Sequence, residues 1–166
     1  MLGLVQSSHL YQVWPNSTQF VRAFSRYLKP HARYLVEVPE VPIYYLLGHG
    51  DAQPRQFTST FYINYKNSKG VLLTGTVGFT AAVDAGYFHV VAYNNEVTGA
   101  ADAVLAQALS ASKDYYLAAE IHITDVFGPG DYFIWVKGRR PTFIGVFNHK
   151  VRRYLDLGSK TTELAP

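Results

Sequence analysis

The stretch Arg33-Tyr34-Leu35-Val36-Glu37-Val38-Pro39-Glu40-Val41-Pro42-Ile43-Tyr44-Tyr45 decides how the chain is read. Residues Arg33 to Glu37 are rich in large and β-branched side chains and read as a buried strand. Pro39 and Pro42 follow closely and stop both that strand and any simple hairpin continuation, because proline cannot donate to a ladder. A strand thus feeds a sharp turn, and Glu37, Glu40 and the Tyr44-Tyr45 pair are delivered to its carboxyl end. In open α/β sheets that end is where ligands bind.

Working outward, the first helix is predicted from about Ser17 to Leu28, with Asn16 and Gln19 as a capping box and Phe20, Phe24, Tyr27 and Leu28 on one face. Asn16-Ser17-Thr18 also fits a glycosylation acceptor, but the helix cap explains it equally well. After the opening strand, Val41 to Leu47 reads as a short helix that starts on Pro42 and closes at Gly48. His49 to Arg55 reads as a loop. Phe57 to Tyr65 alternates strictly and predicts one strand, Lys66 to Gly70 a turn, and Val71 to Leu73 a strand pairing back.

Farther along, Thr76 to Ala85 predicts a helix with Phe79, Ala82 and Val83 inward, and Phe88 to Tyr93 a strand stopped by Asn94-Asn95. Gly99 to Ser112 predicts a helix burying Val104, Leu105, Ala108 and Leu109. Tyr115 to Ile123 and Asp131 to Lys137 predict strands, the first with Leu117, Ala119, Ile121 and Ile123 on one face, the second with Tyr132, Ile134 and Val136 inward. A hairpin loop from Thr124 to Gly130 joins them. The expected fold is a three-layer α/β single domain with a mixed, partly parallel sheet and a C-terminal antiparallel hairpin.

The 166 residues suffice for an ordinary core, and 48% hydrophobic against 16% charged residues excludes a disordered composition. With no cysteine, disulfides and thiolate zinc sites are excluded. The formal charge of +3 is unevenly spread: Lys137, Arg139, Arg140, Lys150, Arg152 and Arg153 share a segment without a carboxylate. That segment reads as a solvated tail or as one drawn to anionic lipid headgroups or phosphate. Nucleic acid is not an expected partner, because no reading motif accompanies the charge. No run approaches the roughly 20 apolar residues of a membrane span, and Met1 to Val5 is too short and uncharged for a signal peptide. The abrupt apolar opening suits a piece of a longer protein as well as a native start.

Motifs for chemistry are sparse. Gly75-Thr76-Val77-Gly78 lacks the full glycine fingerprint of a nucleotide site and reads as an ordinary turn and helix start. His9, His31, His49, His89, His122 and His149 show no metalloprotease-like spacing, so neither metal nor cofactor is expected. His89 and His122, both in predicted strands, are read as a structural pair meeting across the sheet. No Gly-x-Ser-x-Gly elbow occurs. Glu37 and Glu40, with Asp125 a distant third, are the carboxylates nearest a cleft, and a glycoside-cleaving pair is the weaker reading of them. Tyr44, Tyr45, Tyr62, Tyr93 and Trp135 offer rings with an apolar face, and four of them a polar hydroxyl tip, suited to sugar; Asn94 belongs to the same rim.

Trp14-Pro15-Asn16-Ser17, Arg33-Tyr34-Leu35-Val36-Glu37, Val41-Pro42-Ile43-Tyr44-Tyr45-Leu46, Phe57-Thr58-Ser59-Thr60-Phe61-Tyr62, Gly86-Tyr87-Phe88-His89-Val90-Val91 and Phe127-Gly128-Pro129-Gly130-Asp131-Tyr132-Phe133-Ile134-Trp135 follow one another in a familiar order. From about Tyr11 to Lys137 the chain resembles the soluble C-terminal region of actinobacterial polytopic glycosyltransferases, related to protein mannosyltransferases and aminoarabinose transferases. The resemblance implies residues 1–15 as a linker after a membrane helix, 16–138 as a soluble α/β domain and 139–166 as a basic tail. It implies an accessory domain on the extracytoplasmic face of the cytoplasmic membrane, beside the membrane part of the same polypeptide. The parent enzyme would use a polyprenyl-phosphate sugar donor, with its catalytic aspartate in an early loop that this chain does not contain. No catalytic residue therefore carries over, and the isolated chain is expected to be inactive. Glu37, Glu40, Tyr44, Tyr45, Tyr62, Tyr93 and Asn94 remain candidates for contact with sugar. The alternative is a free-standing carbohydrate or small-molecule binding module.

Overall fold

Adjacent side chains of the opening strand point into two different cores. Strand β1 (Tyr34–Val36) buries Leu35 in one hydrophobic cluster and Tyr34 and Val36 in another, as the two-residue period of a strand requires. Our computed structural model describes residues 18–37, 50, 52–94, 98–125 and 128–139. The expected cap at Asn16, the helix from Val41 to Leu47, most of the tail, and Glu40, Tyr44 and Tyr45 lie outside them.

A five-stranded mixed sheet, in the order β2-β1-β5-β7-β6, separates the two cores. β2 (Phe57–Ser59), β1 and β5 (Val90–Asn94) run parallel, whereas β7 (Gly128–Lys137) is antiparallel to both β5 and β6 (Tyr115–Asp125). The same alternation divides β5, where Val91 and Tyr93 face one core and Val90 and Ala92 the other. In β7, Phe133 and Trp135 pack on the first core while Ile134 and Val136 fill the second. Continuous apolar strands follow from burial on both faces.

Helix α1 (Thr18–Ser25) covers the second core through Phe20 and Phe24. Its hold on the sheet is aromatic: Phe24 meets Tyr34 edge-on with ring centroids 5.5 Å apart, and Phe20 lies 5.0 Å from Tyr132. The Tyr34 hydroxyl accepts from the Lys29 N–H at 2.7 Å and lies 3.0 Å from the Lys29 carbonyl, pinning the chain that links α1 to β1. On the opposite face α2 (Gly75–Asp84) contributes Phe79, Ala82 and Val83, and α3 (Gly99–Ala111) contributes Leu105, Ala108 and Leu109. Helix, sheet and helix pair make the three layers.

Three expectations need correction. Phe57 to Tyr65 is not one strand: it breaks at Thr60, and Asn64–Lys66 forms β3, which pairs with β4 (Leu72–Thr74) in a separate two-stranded sheet. The alternation survived the break because Ile63 and Tyr65 still point inward, whereas Phe61 and Tyr62 are each 66% exposed. In β6, an irregularity between Leu117 and Ala119 shifts the register, so Leu117 opposes Trp135 and Ala119 opposes Ile134 on the other face. One extra residue changes which side chains face the core. The β6–β7 ladder also runs to Asp125 opposite Gly128, so much of the predicted loop is strand.

Gly78 shows how closely α2 approaches the small sheet. A Cβ there would stand 2.9 Å from the Leu73 carbonyl oxygen and 3.0 Å from Ile63. Gly78→Val is therefore expected to lose about 1–3 kcal/mol of stability through overpacking. Urea denaturation checks this, and an unchanged midpoint would show that the contact has room to yield.

Candidate functional site

Glu37 follows Val36 in the alternation of β1, which aims it at the α3 side of the sheet. Its exposure is 0%, so the carboxylate expected at an open rim is instead enclosed. It sits at the carboxyl ends of β1 and β5, where the chain switches from pairing on one side of β1 to pairing on the other. The Glu37 backbone N–H donates to the Ala92 carbonyl at 3.0 Å and continues the ladder. Its side chain then reaches the start of α3. Oε2 accepts from the Asn94 N–H, and Oε1 lies 2.7 Å from both the Thr98 N–H and the Thr98 Oγ1.

Thr98 precedes α3 without turning its hydroxyl back to cap the helix. That hydroxyl instead lies 3.0 Å from Thr60 Oγ1 and 3.0 Å from Asp102 Oδ1. A threonine has one hydroxyl proton, so it cannot donate to both carboxyls at once. Asp102 is itself buried, and among the described residues no donor reaches its Oδ2. A proton on Asp102 Oδ1 would let that carboxyl donate to the Thr98 hydroxyl while the hydroxyl donates to Glu37.

The electrostatics agree with that reading. Burial, against the hydrogen bonds from Thr98 and Asn94 and with help from the negative charge of Asp102, pushes the Glu37 carboxyl up to about 7. Burial likewise raises Asp102. Two like charges in a dry site cannot both ionise cheaply. The positive end of α3 partly compensates for whatever charge remains.

The structure brings together Glu37, Asn94 and Tyr93, three of the residues expected to face a ligand, but all are buried. Tyr93 packs against Phe133 at 5.5 Å, and burial raises its hydroxyl pKa. Trp135 packs on the same core rather than standing free for stacking. Asp102 was not among the expected residues. A signal for it existed, since it stands three residues before Leu105 and seven before Leu109, on the inward stripe of α3.

Tyr62 is placed differently. With Phe57, Thr58, Ser59, Asn64 and Tyr87 it lines an open groove of about 340 Å³ between the edge of β2 and the start of β3. The Tyr62 hydroxyl is hydrogen-bonded to Asn64 Nδ2. Tyr87 is held from behind, by Tyr65 edge-on at 5.1 Å and by the Arg33 guanidinium 4.2 Å from its ring centre. A fixed ring, a free ring, hydroxyls and an amide around one groove can stack on and hydrogen-bond a polyhydroxylated ligand.

His89 and His122 do not meet. β7 lies between β6, which carries His122, and β5, which begins just after His89; the His122 ring lies against Asp131, the residue it opposes on the β6–β7 hairpin. Glu120 stands beside them, and ligand atoms of the three side chains lie within 4.8 Å of one another. Brought together across two strands, these three residues show no helical metal-ligand spacing in the sequence. Among the described residues no helix is long and apolar enough to cross a membrane. Comparison with protein-family models, with curated proteins and with solved structures finds no match for this chain.

The buried pair sets a pH dependence. Both carboxyl pKa values are raised on folding, so the native state binds more protons than the unfolded chain between about 4.5 and about 7. Its stabilisation is complete at low pH and is lost as pH rises through that window, by on the order of 3 kcal/mol for a shift of this size. His89, whose pKa is lowered by burial, then by Lys29 and Lys137, acts with the opposite sign. Comparing a variant with the parent cancels that contribution. Asp102→Asn removes the like charge and offers Glu37 a permanent N–H donor. Its melting temperature should exceed the parent's at pH 8, and the advantage should shrink or reverse at pH 5. Parallel melting-temperature curves would contradict the raised carboxyl pKa values.

Proposed function

We propose that this chain is an accessory, non-catalytic domain of a membrane glycosyltransferase that uses a polyprenyl-phosphate sugar donor, and that it contacts donor or acceptor sugar through the groove at Tyr62. It would stand on the extracytoplasmic face of the cytoplasmic membrane beside the membrane part of the same polypeptide. The observation that carries the reading is the contrast between two sites. The groove presents two tyrosine rings and several hydroxyl and amide groups to solvent. The Glu37–Asp102 carboxyl pair is closed off and occupied by Thr98 and Asn94.

That enclosure argues against the glycoside-cleaving reading of Glu37 and Glu40. An acid that protonates a glycosidic oxygen must reach it, typically within hydrogen-bond distance, and the Glu37 oxygens are engaged by the protein's own backbone. Contact through aromatic rings needs no such acid. Shape and stacking supply the affinity, and a few hydroxyl contacts supply orientation.

Titration with free monosaccharides and with short-chain prenyl-phosphate sugars, followed by NMR of the tyrosine rings, tests the proposal. Tyr62 and Tyr87 resonances should shift together, and Tyr62→Ala should weaken binding by about tenfold, in keeping with 0.5–1.5 kcal/mol for an aromatic contact beyond its area. Absence of any shift at the groove with all of these ligands would sink it.

A further inference from the structure

The large apolar side chains exposed among the described residues fall within one short segment: Phe61, Tyr62, Val71, Leu72 and Val77 are each between 51% and 66% exposed. They belong to the β3–β4 hairpin and its two flanks, where the chain enters from β2 and leaves into α2. The hairpin is two-faced. Tyr65 and Leu73 oppose each other on the inner face against the core, whereas Lys66 and Leu72 oppose each other on the outer face. Tyr62 extends that outer face through its hydrogen bond to Asn64. At the tip the turn is tied by Asn67, whose side chain accepts from the Lys69 and Val71 N–H groups at 3.0 and 2.9 Å. Val71 and Lys69 are thus held by an ordered turn.

The charge along this segment has one sign. From residue 52 to residue 83 the sequence contains Arg55, Lys66 and Lys69 and no aspartate or glutamate. Two lysines among phenylalanine, tyrosine, valine and leucine give the composition of a surface that sits at a lipid–water boundary. There, aliphatic groups enter the acyl region, aromatic rings stay at headgroup depth and lysine stems reach out to phosphate. A protein partner with an ordinary mixed-charge surface calls for carboxylates here as well as lysines.

We propose that the outer face of the β3–β4 hairpin docks on an anionic lipid surface. Val71 and Leu72 enter the boundary, and Lys66 and Lys69 contact lipid phosphate. The docking goes beyond the sugar reading and does not require it. Where both hold, the groove at Tyr62 opens beside the membrane surface, at the depth of a lipid-linked sugar.

The test is sedimentation of the full chain with vesicles of phosphatidylglycerol mixed with phosphatidylcholine, and with vesicles of phosphatidylcholine alone, at low and high salt. Two double variants are compared with the parent: Lys66→Gln with Lys69→Gln, and Val71→Ser with Leu72→Ser. All four positions point to solvent or lie in an exposed turn, and an unchanged melting temperature confirms that each variant is folded. Binding to the anionic vesicles should fall roughly fivefold per lysine removed, with a shallower salt dependence. It should fall on the order of tenfold for the serine pair. Arg152→Gln with Arg153→Gln, in the basic tail, should retain most of the binding. The proposal is overturned if the parent ignores anionic vesicles, if both hairpin variants bind as the parent does, or if the tail variant alone loses binding. It is also overturned if the serine pair changes only the sedimentation mass of the free protein, which would make the face a contact between two copies. None of the variants touches Tyr62 or Tyr87, so failure here leaves the sugar titration intact, and the reverse holds too.

Discussion

A single buried carboxyl group holds the parallel half of this sheet to the helix that covers it. Glu37 leaves the end of β1, and its oxygens accept from the last N–H of β5 and the N–H that opens α3. Burying an N–H without an acceptor costs about 1–3 kcal/mol, and Glu37 supplies acceptors at this junction. Taking a carboxylate out of water is also expensive, and here burial, with the neighbouring Asp102 carboxyl, pushes Glu37 toward its protonated form. The outcome is a joint whose strength depends on protonation, where an apolar contact would be indifferent to pH.

That joint occupies the place where an open α/β sheet ordinarily receives its ligand. The strand-order switch between β1 and β5 leaves a crevice at their carboxyl ends, and in this chain the protein fills it with Glu37, Thr98, Thr60 and Asp102. The surfaces proposed for contact with other molecules lie instead toward the β2 edge, where the chain leaves the main sheet to form the hairpin. Both surfaces described above, the tyrosine-lined groove and the apolar, lysine-bearing hairpin face, arise from that departure. Ile63 and Gly78 anchor it to α2.

How much of this could be read in the sequence depended on whether the physics was local. α2, α3, β5 and the β6–β7 hairpin were legible because each repeats its period over several turns or pairs. Leu105 and Leu109, or Ile134 and Val136, have only to be counted. The break at Thr60 was not legible: Phe57, Ile63 and Tyr65 keep the parity of a single strand although they serve different sheets, and alternation records parity alone. The shift at Leu117 and Ala119 is invisible for the same reason, since one additional residue leaves composition unchanged. Glu37 was singled out at the end of a strand as a residue facing a ligand. Its inward direction required knowing that α3 lies over that face, a contact 61 residues away in the chain. Tyr62 was picked for its chemistry, and the sequence could not say that it alone of the aromatic candidates on described residues would remain exposed.

Protonation of the buried Glu37 carboxyl is the claim on which the joint rests, and titration of its side-chain carboxyl carbon by NMR reads it directly. The account predicts a midpoint at about 7, and a midpoint near the ordinary 4.5 would contradict it.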